Sequence, residues 1–148
     1  MPMARILVTS NGDMLVNLST DYQIRDIYYP LVGQENHAMG QVSRFGFWVD
    51  GECSWISSPE WQRSLHYELE TLVTQVTATN PRLRLRVDIS EAVDIGRPVY
   101  LRKVVVHNQA DRPRELKVFF HCDLNISGHS LGDTVYYDPV SQALIHFK

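Results

Sequence analysis

No apolar run in this chain approaches the roughly 18 residues that a membrane-spanning helix needs, and no long charge run or sign excess marks it for a polyanion. Its 14 basic and 17 acidic residues leave a formal charge of −3. That balance gives no electrostatic reason to bind nucleic acid or an anionic membrane surface. The opening Met1-Pro2-Met3-Ala4-Arg5 lacks the long apolar stretch of a secretory signal, so a cytoplasmic setting is the expectation. Without such a signal, the glycosylation patterns Asn17-Leu18-Ser19 and Asn125-Ile126-Ser127 carry little weight. Cysteine is scarce as well. Cys53 and Cys122 are far apart in strand-like surroundings, which argues for free thiols over a disulfide framework. Repeats, low-complexity tracts and linkers are missing too, so nothing divides the 148 residues into domains. A chain of that length buries roughly two thirds of its unfolded surface and can support one core without a metal or a disulfide.

What the chain does have is period-two patterning. Apolar and charged residues alternate strictly from Arg82 to Ile89, which puts four apolar side chains on one face of a strand. Further strands are expected at Arg5 to Thr9, Met14 to Leu18, Ile24 to Tyr28, Phe45 to Val49, Leu69 to Thr77, Thr134 to Tyr137 and Ala143 to Phe147. Val99 to Val106 and Leu116 to Phe120 flank the turn formers Asn108 to Pro113 and read as a hairpin-like pair. Turns are expected at Asn11-Gly12, Asp50-Gly51, Asn80-Pro81, Gly96-Arg97-Pro98 and Asp138-Pro139. Ser58-Pro59-Glu60-Trp61 suits a single helical turn, and no longer helix is supported. About ten strands at this spacing describe an all-β antiparallel sandwich with little or no helix.

The segment from Arg25 to His37 is too polar for a core strand. It combines Tyr28 and Tyr29 with a Pro30–Gly33 turn and with Gln34, Glu35, Asn36 and His37. Loops of that make-up commonly face a ligand or another domain. Taken with Asn11-Gly12, Phe45 to Gly51, Trp55 to Trp61, Leu101 to Asn108, Phe119 to Leu124 and Gly132 to Pro139, it resembles the amino-terminal domain of glucoamylase-like enzymes of glycoside hydrolase family 15. The resemblance implies a super-β-sandwich that a helical linker joins to a catalytic (α/α)6 barrel. It covers nearly the whole chain, yet the family's sandwich is longer. The second part of the sandwich, the linker and the barrel have no counterpart here, and the strand-like ending at Lys148 suits a domain cut short.

Inverting hydrolysis of a glycosidic bond needs an acid and a base carboxyl about 6.5–9.5 Å apart. The resemblance implies that both lie on the barrel, so no catalytic residue is expected in this chain. Glu35, Asp133 and Asp138 are the carboxyls that could pair, and sequence gives no reason for them to meet. The candidates for contact with substrate or with the barrel are Tyr28, Tyr29, Gln34, Glu35, Asn36, His37, Trp55 and Trp61. Against this stands a structural loop whose tyrosines cap the core. Trp48, inside an apolar run, is expected in the core, whereas Trp55 and Trp61 flank Ser57-Ser58-Pro59 and are better placed for exposure. His121, Cys122, Asp123 and His129 are close in sequence, but a strand sends Cys122 to the face opposite His121 and Asp123. No metal and no cofactor is expected. Arg82, Arg84 and Arg86 read as a solvated face.

The expected function is a non-catalytic sandwich that stabilises a catalytic barrel and shapes one side of its cleft. The implied parent enzyme is an inverting hydrolase of α-glucosidic bonds in α-1,4-glucan, dextran or trehalose. Two other readings are a self-standing carbohydrate-binding module, using Trp55, Trp61 and the Tyr28 loop, and a structural sandwich that self-assembles through exposed strand edges.

Overall fold

A computed structural model describes residues 5–129 and 131–148. The architecture is all-β, as expected: twelve antiparallel strands, one 3-10 turn at Ile126–Gly128 and no α-helix among the described residues. Strands β1 (Arg5–Ser10), β2 (Leu15–Ser19) and β3 (Ile24–Tyr28) form one sheet in that order. An Ile24–Ser43 bridge leads from it to β4 (Arg44–Val49), which lies between β10 (Leu116–His121) and β5 (Glu52–Trp55). The facing sheet runs β6 (Gln62–Tyr67), β7 (Thr74–Asn80), β8 (Leu85–Val93), β9 (Tyr100–Asn108). The hairpin of β11 (Thr134–Asp138) and β12 (Ala143–Phe147) stands apart.

Alternation builds the core. The inward positions Val76 and Ala78 on β7 and Leu85, Val87 and Ile89 on β8 meet Leu7, Leu18, Phe45, Phe47, Val49 and Trp61 in one buried cluster. That is the packing of a sandwich, in which inner faces interdigitate and outer faces stay polar.

Four expectations need correction. The β9 and β10 segments are not a hairpin: β9 pairs with β8, and β10 crosses to β4 in the opposite layer. Arg114 fixes the crossing, donating to the carbonyls of Leu83 (2.8 Å) and Arg84 (3.0 Å) and to Asn108 Oδ1 (2.7 Å). The Arg82 to Ile89 strand begins later and runs longer. Leu83 N–H donates to Asn80 Oδ1 at 3.0 Å and Arg84 takes a φ of 51°, so Arg82 to Arg84 belong to the turn. Leu69 to Val73 is likewise a turn, closed by Glu68 N–H to the Val73 carbonyl at 2.9 Å. Strands β5 and β6 were unforeseen because these edge strands carry too few apolar residues, in Glu52–Trp55 and Gln62–Tyr67, to show an alternation. The single turn expected at Ser58–Trp61 forms, with Trp61 N–H donating to the Ser58 carbonyl at 3.2 Å.

Candidate functional site

The chain leaves β3 at Tyr28, projects through Tyr29 to Glu35, and returns at Asn36, which bridges back to Tyr28. Asn36 organises this excursion. Its amide donates to Asp26 Oδ1 (2.7 Å), and its oxygen accepts from the N–H groups of Ile27 (3.1 Å), Ala38 (3.1 Å) and Met39 (3.0 Å). Asp26 is itself buried, and its second oxygen accepts from Asn17 Nδ2 at 3.0 Å. Buried polar groups are tolerable only when satisfied in this way. His37 works on the other side of the loop. Ser127 N–H donates to Nδ1 at 3.0 Å, which leaves the proton on Nε2, and Nε2 donates to the Tyr29 carbonyl at 2.8 Å. The His37 carbonyl accepts from Asn125 N–H at 2.7 Å.

Asn36 and His37 therefore hold the loop and are half-buried, as is Tyr28. Tyr29, Leu31, Val32, Gln34 and Glu35 make up the exposed tip. Beneath it runs an open groove of about 680 Å³, in which Tyr29, Pro30 and Glu35 on one side face Ile126, Ser127 and His146 on the other. Sequence reading missed the far wall, because Ile126 and His146 are about a hundred residues away and only the fold brings them near.

The tryptophans divide against expectation. Trp61 is 2% exposed, its ring 6.0 Å from Phe47 and its Nε1 donating to Ser54 Oγ at 2.9 Å. It is a core residue and presents no face to a ligand. Trp55 is half-buried over Gly46, where a Cβ would lie 2.7 Å from Trp55 Cε3. The Arg44 guanidinium sits 5.3 Å from its ring centroid. Trp48, expected in the core, occupies the opposite face of β4 from Phe45, Phe47 and Val49 and is half-buried beneath Lys117 Nζ, 4.7 Å from its centroid. One residue of parity decides it.

A second polar cluster lies inside the sandwich. Glu91 is buried at an inward position of β8 and accepts from Tyr22 OH (2.8 Å), Thr74 Oγ1 (3.2 Å), Tyr100 OH and Arg102 Nε (2.5 Å). The Arg102 guanidinium packs against the rings of Tyr22, Phe45, Tyr100 and Phe120. Burial works against its charge, but Tyr100, Tyr22 and Glu91 outweigh it and hold its pKa above the ordinary value. Burial and the adjacent Glu91 push both phenols well above their usual range. The signal was present in the sequence: a glutamate and an arginine at positions that alternation assigns to the interior.

The remaining candidate carboxyls have separate local settings. Glu35 lines the groove, Asp133 sits 3.8 Å from His146 Nε2, and Asp138 is occupied by Val140 N–H and Ser141 N–H, each at 3.1 Å, in the β11–β12 turn. Among the described residues no cluster of three or more metal-ligating side chains forms, and both cysteines are free. The basic stripe is solvated and paired: Arg82 with Glu52, Arg84 with Asp111 (2.9 Å) and Arg86 with Asp88 (3.1 Å). No helix among the described residues is long and apolar enough to cross a membrane.

No protein-family model and no solved structure matches the chain. It is similar to a protein of Methanocaldococcus jannaschii named as an uncharacterized glycosyl hydrolase, 23% identical over 130 residues. That match takes in 88% of this chain and 20% of the relative, so the chain spans about a fifth of the relative's length. The similarity is weak and of a glycoside-hydrolase-related kind.

Proposed function

We propose that the chain is the non-catalytic amino-terminal sandwich of a glucoamylase-like hydrolase, and that its exposed loop tip meets the catalytic barrel near the mouth of the cleft. The observation that carries this reading is the division of labour within the loop. Asn36 and His37 spend their hydrogen bonds on holding it, while Tyr29, Gln34 and Glu35 are left to solvent on a rigid base. A site built on a locked support can orient what it touches. The length and name of the Methanocaldococcus jannaschii relative support a larger hydrolase around such a sandwich. Inverting chemistry would then fall to carboxyls on the barrel. The substrate would be an α-linked glucan or oligosaccharide.

In the full-length hydrolase, Tyr29→Ala combined with Glu35→Ala should lower kcat/KM several-fold or weaken the association of sandwich and barrel. Unchanged kinetics together with unchanged melting would overturn the reading. The alternative of a self-standing carbohydrate-binding module loses one of its platforms with the burial of Trp61. Calorimetry of the isolated chain with maltooligosaccharides should accordingly show no saturable heat.

A further inference from the structure

The imidazole of His37 joins two stretches of chain that only the fold brings together. Its Nε2 donates to the Tyr29 carbonyl (2.8 Å) where the loop begins, and its Nδ1 accepts from Ser127 N–H (3.0 Å) in the turn opposite. Tyr29 and Ser127 stand on facing walls of the groove. A proton affects the two bonds differently. Neutral imidazole has one donor and one acceptor nitrogen, whereas imidazolium has two donors. Protonation therefore keeps the Nε2 bond and makes it charge-assisted. At Nδ1 it sets one N–H against another, and the Ser127 bond is lost.

The turn and the loop are not held alike. Ser127 takes a φ of 56°, a left-handed conformation uncommon outside glycine, and His37 Nδ1 is the acceptor for its N–H. The loop has an anchor that involves no imidazole, because Asn36 bonds Asp26 Oδ1 (2.7 Å) and Ile27 N–H (3.1 Å). We propose that His37 is a proton-operated latch: neutral, it clips the 125–128 turn to the loop, and protonated, it keeps the loop and releases the turn, widening the groove. A proton shifts such an equilibrium because the released state accepts it at Nδ1 and the clipped state does not. The clipped state is thus complete at pH 8 and is lost as pH falls toward 5, the interval in which histidine changes charge. The titratable groups on the groove are Tyr29 and Glu35 from the loop and His146 from β12, while Met14 and Pro98 from the neighbouring turns carry none. Beyond the 125–128 turn, Lys148 Nζ donates to the Ile126 carbonyl (2.8 Å) and contacts His129 Nδ1 (2.8 Å). Asp133 lies 3.5 Å from Lys148 Nζ and 3.8 Å from His146 Nε2. Among the described residues no carboxylate bonds to His37, so the Ser127 bond is what separates its two protonation states. The inference goes beyond the proposed function and does not depend on it.

The test is nuclear magnetic resonance of the 148-residue chain from pH 8 to pH 5, following the ring nitrogens of His37 and the amide of Ser127. At pH 8 the ring should carry its proton on Nε2 alone. As Nδ1 is protonated, the Ser127 amide proton should move upfield with the same midpoint, while the Ile27 amide, bonded to Asn36, stays in place. His37→Asn, which offers an acceptor near the Nδ1 position and does not titrate, should hold the Ser127 amide fixed across the range. A Ser127 amide that stays put while His37 protonates overturns the latch, as does a His37 still neutral at pH 5. An amide that moves equally in His37→Asn overturns it in favour of His129 or His146. Should that variant fail to fold, the same choice is made in the parent, where the Ser127 midpoint must match His37 and not the other two rings.

Discussion

Among the described residues, every fully buried residue lies between Leu7 and Val93, and from Asp94 to Lys148 no apolar residue is buried, although the Arg114 side chain is enclosed. Composition does not explain the contrast. The later region holds Val104-Val105-Val106, Val118-Phe119-Phe120 and Val135-Tyr136-Tyr137, as rich in β-branched and aromatic residues as anything before it. Both regions form strands. What differs is the second layer: β7 and β8 face β1, β2 and β4, whereas β10 and the β11–β12 hairpin turn apolar residues toward solvent. Propensity yields a pleated ribbon, and only a facing sheet converts it into core. An isolated two-stranded hairpin is marginal in water for the same reason.

The sharpest way to break the contrast is truncation on either side of it. Trp61→Ala, in the closed region, should cost about 3–5 kcal/mol, because removal of a large buried ring forfeits its transfer energy and leaves a cavity. Phe120→Ala should cost less than about 1 kcal/mol at concentrations where the chain is monomeric, since most of the ring already lies in water. Urea denaturation of the two variants measures both. Equal costs in dilute solution would mean that the open side is covered and that the contrast fails.

Next in size is Glu91→Gln, at the seam between the regions. Arg102 on β9 is satisfied chiefly by Glu91 on β8, and the charge left behind is buried among Tyr22, Phe45 and Tyr100. Breaking a buried pair by removing one partner costs about 3–5 kcal/mol; the amide keeps some of the hydrogen bonds, so the lower end is expected. Because Arg102 also supports Phe120, hydrogen exchange in β9 and β10 should rise more than in β7. A uniform rise would show that the network serves the whole sandwich equally.

Smaller again is Asn36→Ala. Three backbone N–H groups lose their acceptor and Asp26 loses a donor, a loss of about 1–2 kcal/mol. The loop should become protease-sensitive between Tyr29 and Glu35 while the core melts cooperatively. Resistance to cleavage would show that His37 alone holds the excursion.

The closed region was the more legible of the two in sequence, because alternation reports burial only where burial exists. Val76, Val87 and Ile89 announced an inner face that the facing sheet then covered. Leu116 to Phe120 announced a strand and nothing of its partner, because nothing local records that β10 leaves β9 for β4 across the sandwich. The loop was legible as unusual, yet its polar residues divide into supports and exposed tip through contacts with Asp26 and Ser127, only one of which lies nearby in sequence. Trp61 was misjudged because Ser58-Pro59 reads as an exposed loop. The turn instead folds the indole inward, where Ser54 satisfies its N–H.

Acid should separate the two regions before it unfolds either. Asp50, in the turn between β4 and β5, pairs with Arg112 (2.9 Å) and Arg114 (3.2 Å), and Asp88 on β8 pairs with His107 on β9 (2.8 Å). These links tie the core to the later strands. Slight burial tends to raise the pKa of each, but hydrogen bonds from Arg114 and Arg112 to Asp50, and from Thr77, Arg86 and His107 to Asp88, prevail and hold both below the ordinary aspartate value. A carboxyl with a depressed folded-state pKa contributes stability that is complete above its unfolded pKa of about 3.9 and is lost as pH falls through the folded value. The links should therefore be intact at pH 6 and weaken below about pH 4. Exposed ion pairs contribute little, so global melting should shift only slightly, while exchange in the 109–115 connection accelerates first. Asp50→Asn should show that acceleration already at pH 6. If the connection and β7 lose protection at the same pH, these ties are not what joins the open region to the closed one, and the Glu91–Arg102 seam carries that role alone.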